Sequence, residues 1–346
     1  MTSDPAPEAA RLPWSPLLPW QVDAARSTLG QRASFPHALL IHGPRGIGKH
    51  ALALNFAQAL LCETPRADGL ACGACAGCRY AVAGQHPDLM RLELLVIDPE
   101  EDTLEVTEII SIDRVRALTE FVQLTSHRQR AKVAVIAPAE RMNAAAANAL
   151  LKTLEEPPPG TYLILVSDQP QRMPATLRSR CRKLAAPLPD SAEARAWLAA
   201  QGVARPDVAL AQAAGAPLRA LAIADPAVQE ERRAWLTALS APERLSAPGL
   251  AARIDAGGKD ERRARLAHAL EWLIAWTADL ARIVAGDTAR QNPDAAAPLG
   301  RLATRVAPLA LFRYHRSLLQ QRAMLSHPLQ PRLVAEAMLL DYRALF

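Results

Sequence analysis

The chain has 346 residues, half of them hydrophobic and 22% charged, with a formal net charge of +5. That length suits two or three domains around a sizeable core, and no apolar run reaches the roughly 18 residues that a membrane span needs. The basic excess permits a surface facing nucleic acid without demonstrating one. Met1 to Pro13 is Pro/Ala-rich and carries Asp4 and Glu8, not the basic-then-apolar pattern of a signal peptide. A cytoplasmic location is the expectation, and thiols in a reducing compartment more often hold metal or fill cores than form disulfides.

In chain order, Gln21 to Arg32 reads as a helix entered through Pro19-Trp20, and Ala38 to Ile41 as a short buried strand ending at a glycine-rich turn. A helix follows from Ala51 to Leu61. Asp88 to Leu95 reads as a strand, acidic Pro99 to Glu108 as a loop, and Ile112, Val115 and Leu118 recur at helical spacing. Lys132 to Ile136 is a strand, Met142 to Leu154 a helix stopped by Pro157-Pro158-Pro159, and Tyr162 to Val166 another strand. Such repeated βα units predict a mostly parallel sheet with helices on both faces. The character changes at Pro187-Leu188-Pro189. Beyond it no segment reads as a strand. Ala192 to Leu221 fits short Ala-rich helices, and Asp225-Pro226 to Pro248 reads as a second break. The remainder is helical, with Leu266, Leu270, Leu273, Ile274 and Leu280 on one apolar face and Leu333, Ala337 and Leu340 on another.

Gly43-Pro44-Arg45-Gly46-Ile47-Gly48-Lys49-His50 lies between a predicted strand and a predicted helix and follows G-x-x-x-x-G-K up to its last position. Glycines there let backbone N–H groups close around phosphate oxygens at a helix N-terminus, and Lys49 would reach the terminal phosphates. The motif ordinarily ends in Ser or Thr, whose hydroxyl holds Mg²⁺. His50 is a poor ligand for a cation that prefers oxygen. The plainer reading is a tight turn with no ligand. In a hydrolysing relative the strand after this loop ends in two carboxylates. Here Ala137 and Pro138 follow Val135-Ile136, and neither can ligate a metal or accept a proton. Glu140 lies about three residues further on and reads as a surface charge.

Cys62, Cys72, Cys75 and Cys78 carry the spacing C-x9-C-x2-C-x2-C, which suits a closed tetrahedral structural zinc site. The polar stretch between the first two, with Pro65 and Gly69, can fold around a metal but cannot build a core. A redox dithiol or four unrelated thiols are the alternatives. Cys181 is far from them and reads as a core residue.

Ala145-Ala146-Ala147-Asn148-Ala149-Leu150-Leu151-Lys152-Thr153-Leu154-Glu155-Glu156-Pro157-Pro158 resembles the signature of clamp-loader ATPase folds. Thr176-Leu177-Arg178-Ser179-Arg180-Cys181 resembles their Ser-Arg-Cys motif, and a zinc module after the P-loop helix is a trait of the bacterial members. The chain is thus similar to the bacterial DNA polymerase III clamp-loader family of AAA+ proteins over residues 19 to 187, weakly so beyond. His50, Ala137 and Pro138 set it with the branch that has a degenerate nucleotide site.

The resemblance implies an α/β fold: an AAA+ P-loop αβα domain over 1–187 with its zinc insert at 62–78, a helical lid at 188–227, and an all-helical C-terminal collar at 228–346 for oligomerisation. It implies a hetero-oligomer with gamma/tau and delta subunits that loads the beta sliding clamp onto primed DNA. Arg180, after a short helix at Ala175 to Arg178, is the implied arginine finger for a neighbour's ATP site, although an Arg paired with a surface carboxylate would look the same. Ser167 would stand where the family senses a γ-phosphate, or simply satisfy local backbone. Arg219, in Gly215-Ala216-Pro217-Leu218-Arg219, would be the lid's nucleotide sensor, or an exposed helical Arg. Gly43, Gly46, Gly48 and Lys49 leave room for ATP or ADP held without hydrolysis. No ATPase activity is expected of the chain alone, which would serve as a component of the polymerase holoenzyme, a nucleotidyltransferase. The rivals are an active gamma/tau-like ATPase and a zinc-dependent nucleic-acid-binding protein. The second finds no basic stretch interleaved with aromatics, which are 4% of the chain.

Overall fold

A computed structural model describes residues 14–97, 104–128, 130–325 and 330–346. The chain divides into two compact units, 1–189 and 190–346.

The first unit is built on a five-stranded parallel sheet in the order β2-β5-β6-β1-β7: β1 Ala38–His42, β2 Leu89–Leu92, β5 Lys132–Ile136, β6 Thr161–Ser167 and β7 Arg182–Ala185. A separate antiparallel pair, β3 Leu95–Ile97 and β4 Leu104–Val106, leaves the sheet after β2. The central strands are apolar runs buried on both faces, as a parallel sheet between helical layers requires. Helices α1 Val22–Leu29, α2 Lys49–Leu61, α3 Ala76–Val82, α4 Ile112–Gln123, α5 Ala144–Glu155 and α6 Ala175–Ser179 complete the unit. Val115, Leu118 and Val122 of α4 and Ala146, Leu150 and Leu154 of α5 form one core with alternate strand residues, including Leu40, Ala134, Ile136, Leu163 and Leu165. Cys181 is buried in the same core. α2 is covered almost all round, with Leu52, Leu54, Phe56 and Leu60 essentially inaccessible.

Two features depart from the sequence reading. The stretch 99–108, expected as a loop, contains β4; its residues 99–103 lie outside the described residues. β7 is an edge strand with mostly exposed side chains, so it lacks the apolar run that marked the other strands.

The second unit is helical, with no strand among the described residues: α7 Ser191–Ala200, α8 Pro206–Gln212, α9 Pro217–Ile223, α10 Pro226–Leu239, α11 Ala247–Ala251, α12 Lys259–Val284, α13 Ala296–Ala303, α14 Pro308–Met324 and α15 Pro331–Arg343. Residues of α7 to α9, among them Leu198, Leu210 and Ala220, make a small core of their own. α10 to α15 share a larger one around Trp235, Trp276 and Tyr342. The Trp276 indole donates to the Tyr342 hydroxyl (2.8 Å), which donates to the Leu239 carbonyl (2.8 Å).

The break expected from Asp225-Pro226 to Pro248 is largely helix. The Asp225 side chain accepts from the Ala227 and Val228 amides and Pro226 occupies the first turn, so the dipeptide opens α10 instead of interrupting the chain. The expected face of α15 is also wrong. Leu333 is 61% and Leu340 40% exposed, while Ala335, Met338, Leu339 and Tyr342 are buried.

Candidate functional site

Strand order brings the candidate residues together. Gly43, Glu93, Ala137 and Asp168 each stand one residue beyond a parallel strand, so all four lie along the carboxyl edge of the sheet, where α/β folds bind ligands.

The glycine-rich loop joins β1 to α2 with Gly43, Gly46 and Gly48 at positive φ. Gly48 takes a φ of +91°, which strains any side chain, and a Cβ there would overlap a Leu18 methyl and lie 2.6 Å from Gln21 Nε2, so both side chains would have to shift. The segment before α1 grips the loop: Trp20 Nε1 donates to the Ile47 carbonyl (3.0 Å) and Gln21 Nε2 to the carbonyls of Ile47 (3.2 Å) and Gly48 (2.8 Å).

Lys49 opens α2 and is 4% exposed. Its ammonium donates to the Pro44 carbonyl and pairs with Asp168 Oδ1, both at 2.6 Å. The next residue is committed as well: His50 Nε2 lies 2.8 Å from Glu93 Oε1, and the Arg91 guanidinium holds the same carboxylate at 2.6 Å. Burial pushes the Glu93 carboxyl up, but His50 and Arg91 outweigh it and hold the group below the usual carboxylate range. Arg114 stands near enough to feel the charge of Glu93, and burial draws its guanidinium below the ordinary arginine value.

At the position of the missing carboxylates, Ala137 is buried and its amide donates to the Leu92 carbonyl. Glu140 is not the surface charge expected from sequence. It is half-buried, Oε1 accepts from the Asp168 amide (3.0 Å), and Oε2 is buried without a partner among the described residues. The chain turns back after Pro138, which carries Glu140 under the end of β6. Ser167 is fully buried and its hydroxyl accepts from the Gln169 amide (3.2 Å), a local backbone contact.

The four expected cysteines do meet: their sulfurs all lie within 4.8 Å of one another. Cys62 follows the end of α2, and Cys75 and Cys78 sit at the start of α3. Gly77 lets α3 close onto α2, since a Cβ there would lie 2.8 Å from the Leu61 carbonyl oxygen. Backbone amides point at the sulfurs, from Cys72 to Cys62, from Ala74 and Cys75 to Cys72, and from Cys78 to Cys75. With the Thr64 hydroxyl first among its causes, this pulls the Cys72 thiol down to about 6, whereas burial pushes Cys62 and Cys78 up. Four soft donors in so small a volume can hold a metal ion. The module is tied to the sheet through Glu63, which pairs with Arg128 and whose carbonyl accepts from Arg130 (2.8 Å).

Arg180 lies just past α6 and is half-exposed. Its Nε donates to Glu155 Oε1 (2.6 Å), its Nη1 to the Thr176 carbonyl (2.9 Å), and its Nη2 also pairs with Glu155. In the second unit, Arg219 pairs with Glu271 at 2.7 Å. Sequence reasoning missed Glu93, Asp168 and the role of Glu140. A signal was present for two of them, as an acidic residue directly after a parallel strand stands on the ligand-binding edge.

Residues 25–188 match the family model described as DNA polymerase III, delta subunit. The chain is 44% identical over 220 residues to the DNA polymerase III subunit delta' of Pseudomonas aeruginosa, covering 62% of this chain and 64% of that protein. To the Escherichia coli K12 delta' subunit it is 39% identical over 190 residues, 54% of each chain. To the E. coli K12 tau subunit it is 37% identical over 145 residues, 42% of this chain and 20% of tau. The chain thus spans between half and two thirds of the length of these delta' relatives.

Proposed function

We propose that this chain, whose residues 25–188 match the family model described as DNA polymerase III, delta subunit, and which is similar to delta' subunits, is a clamp-loader subunit that keeps an ATPase fold of the AAA+ type without hydrolysing nucleotide. Its partners are gamma/tau and delta subunits. With them it helps load the beta sliding clamp onto primed DNA in the cytoplasm. The first 187 residues are the αβα domain, 188–227 the lid, and 228–346 the collar through which the complex assembles.

One observation carries the reading: the two side chains of the glycine-rich loop that would act on a nucleotide and its metal, Lys49 and His50, already have protein partners. Lys49 is held by Asp168 and His50 by Glu93. Ala137 and Pro138 offer no side-chain carboxylate to a metal or to an attacking water, and in-line phosphoryl transfer depends on both. Gly43, Gly46, Gly48 and Lys49 remain a phosphate cradle in outline, and Arg219 is the candidate sensor in the lid.

Cys62, Cys72, Cys75 and Cys78 are the ligands of a structural zinc. Zn–S bonds of about 2.3 Å in a tetrahedron place sulfurs about 3.8 Å apart. The Cys62–Cys75 and Cys72–Cys78 separations of 3.9 Å support that geometry, and they are far too long for disulfides. Four protein ligands close the site, so its contribution is to folding. Arg180 supplies the positive charge for a neighbouring subunit's ATP. Three of its five N–H donors are taken by Glu155 and Thr176, which leaves two for phosphate oxygens.

The test is ATP hydrolysis by the isolated chain, then by a complex reconstituted with and without it. The expected result is no turnover alone, co-purification with gamma/tau and delta, and loss of DNA- and clamp-stimulated turnover when the chain is omitted. A steady rate from the isolated chain that disappears in Lys49→Ala would assign it to the ATP-driven motor instead.

A further inference from the structure

We infer that Asp168 is the resident anion of the glycine-rich loop: its carboxylate occupies Lys49 in place of a phosphate and is the residue that keeps nucleoside diphosphates and triphosphates out. The inference rests on reading Gly43 to His50 as a phosphate cradle.

Three observations carry it. The first is the pair itself. Lys49 is 4% exposed and its ammonium is already bonded to Asp168 and to the Pro44 carbonyl at 2.6 Å each. A phosphate oxygen would have to displace a charge-assisted bond, not a water. The second is that Asp168 is built into place. Glu140 Oε1 accepts from the Asp168 amide, and the Ser167 hydroxyl accepts from the next amide, that of Gln169. These two contacts fix the backbone on either side of the carboxylate at the end of β6, beside β1 and its loop. The third is local charge. With the strand-end carboxylates lost at Ala137 and Pro138, Lys49 has drawn its counter-charge from a different strand. The cations Lys49 and Arg91 are matched by Asp168 and Glu93, and Glu140 adds a further negative charge. A nucleotide would bring several more to a loop whose own ammonium, Lys49, is already neutralised by Asp168, while a further cation near by, Arg114, lies beside Glu93. Mg²⁺ would offset little, because His50 stands where the hydroxyl ligand belongs and is bound to Glu93.

Asp168→Asn removes the charge while keeping an oxygen for the Lys49 ammonium. The freed cation then receives a phosphate, and Lys49→Ala cancels the gain. The probe is a fluorescent ADP titrated into the full chain, with and without Mg²⁺. Wild type should show no saturable binding below about millimolar ADP, and Asp168→Asn should bind at least about tenfold tighter in either condition, a change corresponding to about 1.4 kcal/mol. The Asp168→Asn/Lys49→Ala double variant should return to the wild-type level. If the Asn variant does not fold, as judged by circular dichroism, Asp168→Ser replaces it. Wild type binding ADP at low micromolar concentration in a Lys49-dependent way would keep the cradle and overturn the plug, whatever the variants do. Absence of binding in wild type and in both Asp168 variants would overturn the cradle reading itself, and the plug with it. A gain that survives Lys49→Ala would show that Asp168 acts elsewhere. None of these outcomes bears on assembly with clamp-loader partners, which co-purification reads separately.

Discussion

Asp88 is wholly buried and fixes the loop that leads into β5. Its carboxylate accepts from the Ser126 hydroxyl (2.9 Å) and from the His127 (2.9 Å) and Arg128 (3.1 Å) amides, and Lys132 lies 3.6 Å away. The loop so fixed then presents Arg128 and Arg130 to Glu63, beside the first cysteine. Burial pushes the Asp88 carboxyl up, but these donors and Lys132 hold it below the usual aspartate value. Its folded pKa is therefore depressed relative to about 3.9 in the unfolded chain. The stability it contributes is present above that value and is lost as the pH falls through the folded pKa. Asp88→Asn should cost about 2 kcal/mol at pH 7, and the gap to wild type should close as the pH is lowered below about 4. Urea unfolding at the two pH values reads this directly. A gap that stays constant would place the effect in packing and not in charge.

At the scale of elements, the cysteine module is a loop and a short helix with little core of its own, since only Gly77, Cys78 and Ala81 of α3 are buried. A metal ion held by the four cysteines, as proposed, would supply much of its order. Cys75→Ser should release the bound metal, one equivalent by elemental analysis, and raise amide exchange across residues 62–85 while the sheet stays protected. Protein purified without chelator and free of zinc would remove the basis for the module. In the second unit, α15 has apolar residues on two faces, and the core selects one of them. Met338 is fully buried, whereas Leu340 is 40% exposed. Met338→Ala should cost about 2–5 kcal/mol, and Leu340→Ala no more than about 0.5 kcal/mol. Equal costs in thermal or urea unfolding would show that the buried face is assigned wrongly.

At the scale of the whole molecule, the role proposed for Arg180 would be exercised only in an assembly. Its pairing with Glu155 is half-exposed and worth about 1 kcal/mol or less to the isolated chain. Arg180→Ala should therefore leave folding, metal content and complex formation intact. The same change should lower ATP hydrolysis and clamp loading by the reconstituted complex, by less than the roughly 10³–10⁵ of a lone finger because other ATP sites remain. Arg180→Lys should rescue only in part, as an ammonium lacks the planar fork that a guanidinium presents to phosphate oxygens. Unchanged rates with normal assembly would reduce this chain to a scaffold.

Local patterns were enough for four of the five strands of the parallel sheet, the glycine-rich loop and the four cysteines. An apolar run of about five residues bounded by turn residues is too short for a buried helix and reads as a buried strand, and C-x2-C spacing places thiols side by side by chain geometry. The loss of the acidic pair was legible for the same reason, because Ala137 and Pro138 stand at a fixed distance from Ile136. Tertiary structure decided the partners. Lys49 meets Asp168 because β1 lies beside β6, and His50 meets Glu93 because β2 ends on the same sheet edge. Those residues are far apart in the chain, and no periodicity carries strand order. The buried face of α15 and the start of α10 at Asp225-Pro226 were settled the same way. Two apolar faces, or a turn signal that is also a helix-start signal, are equivalent locally until the rest of the core chooses between them.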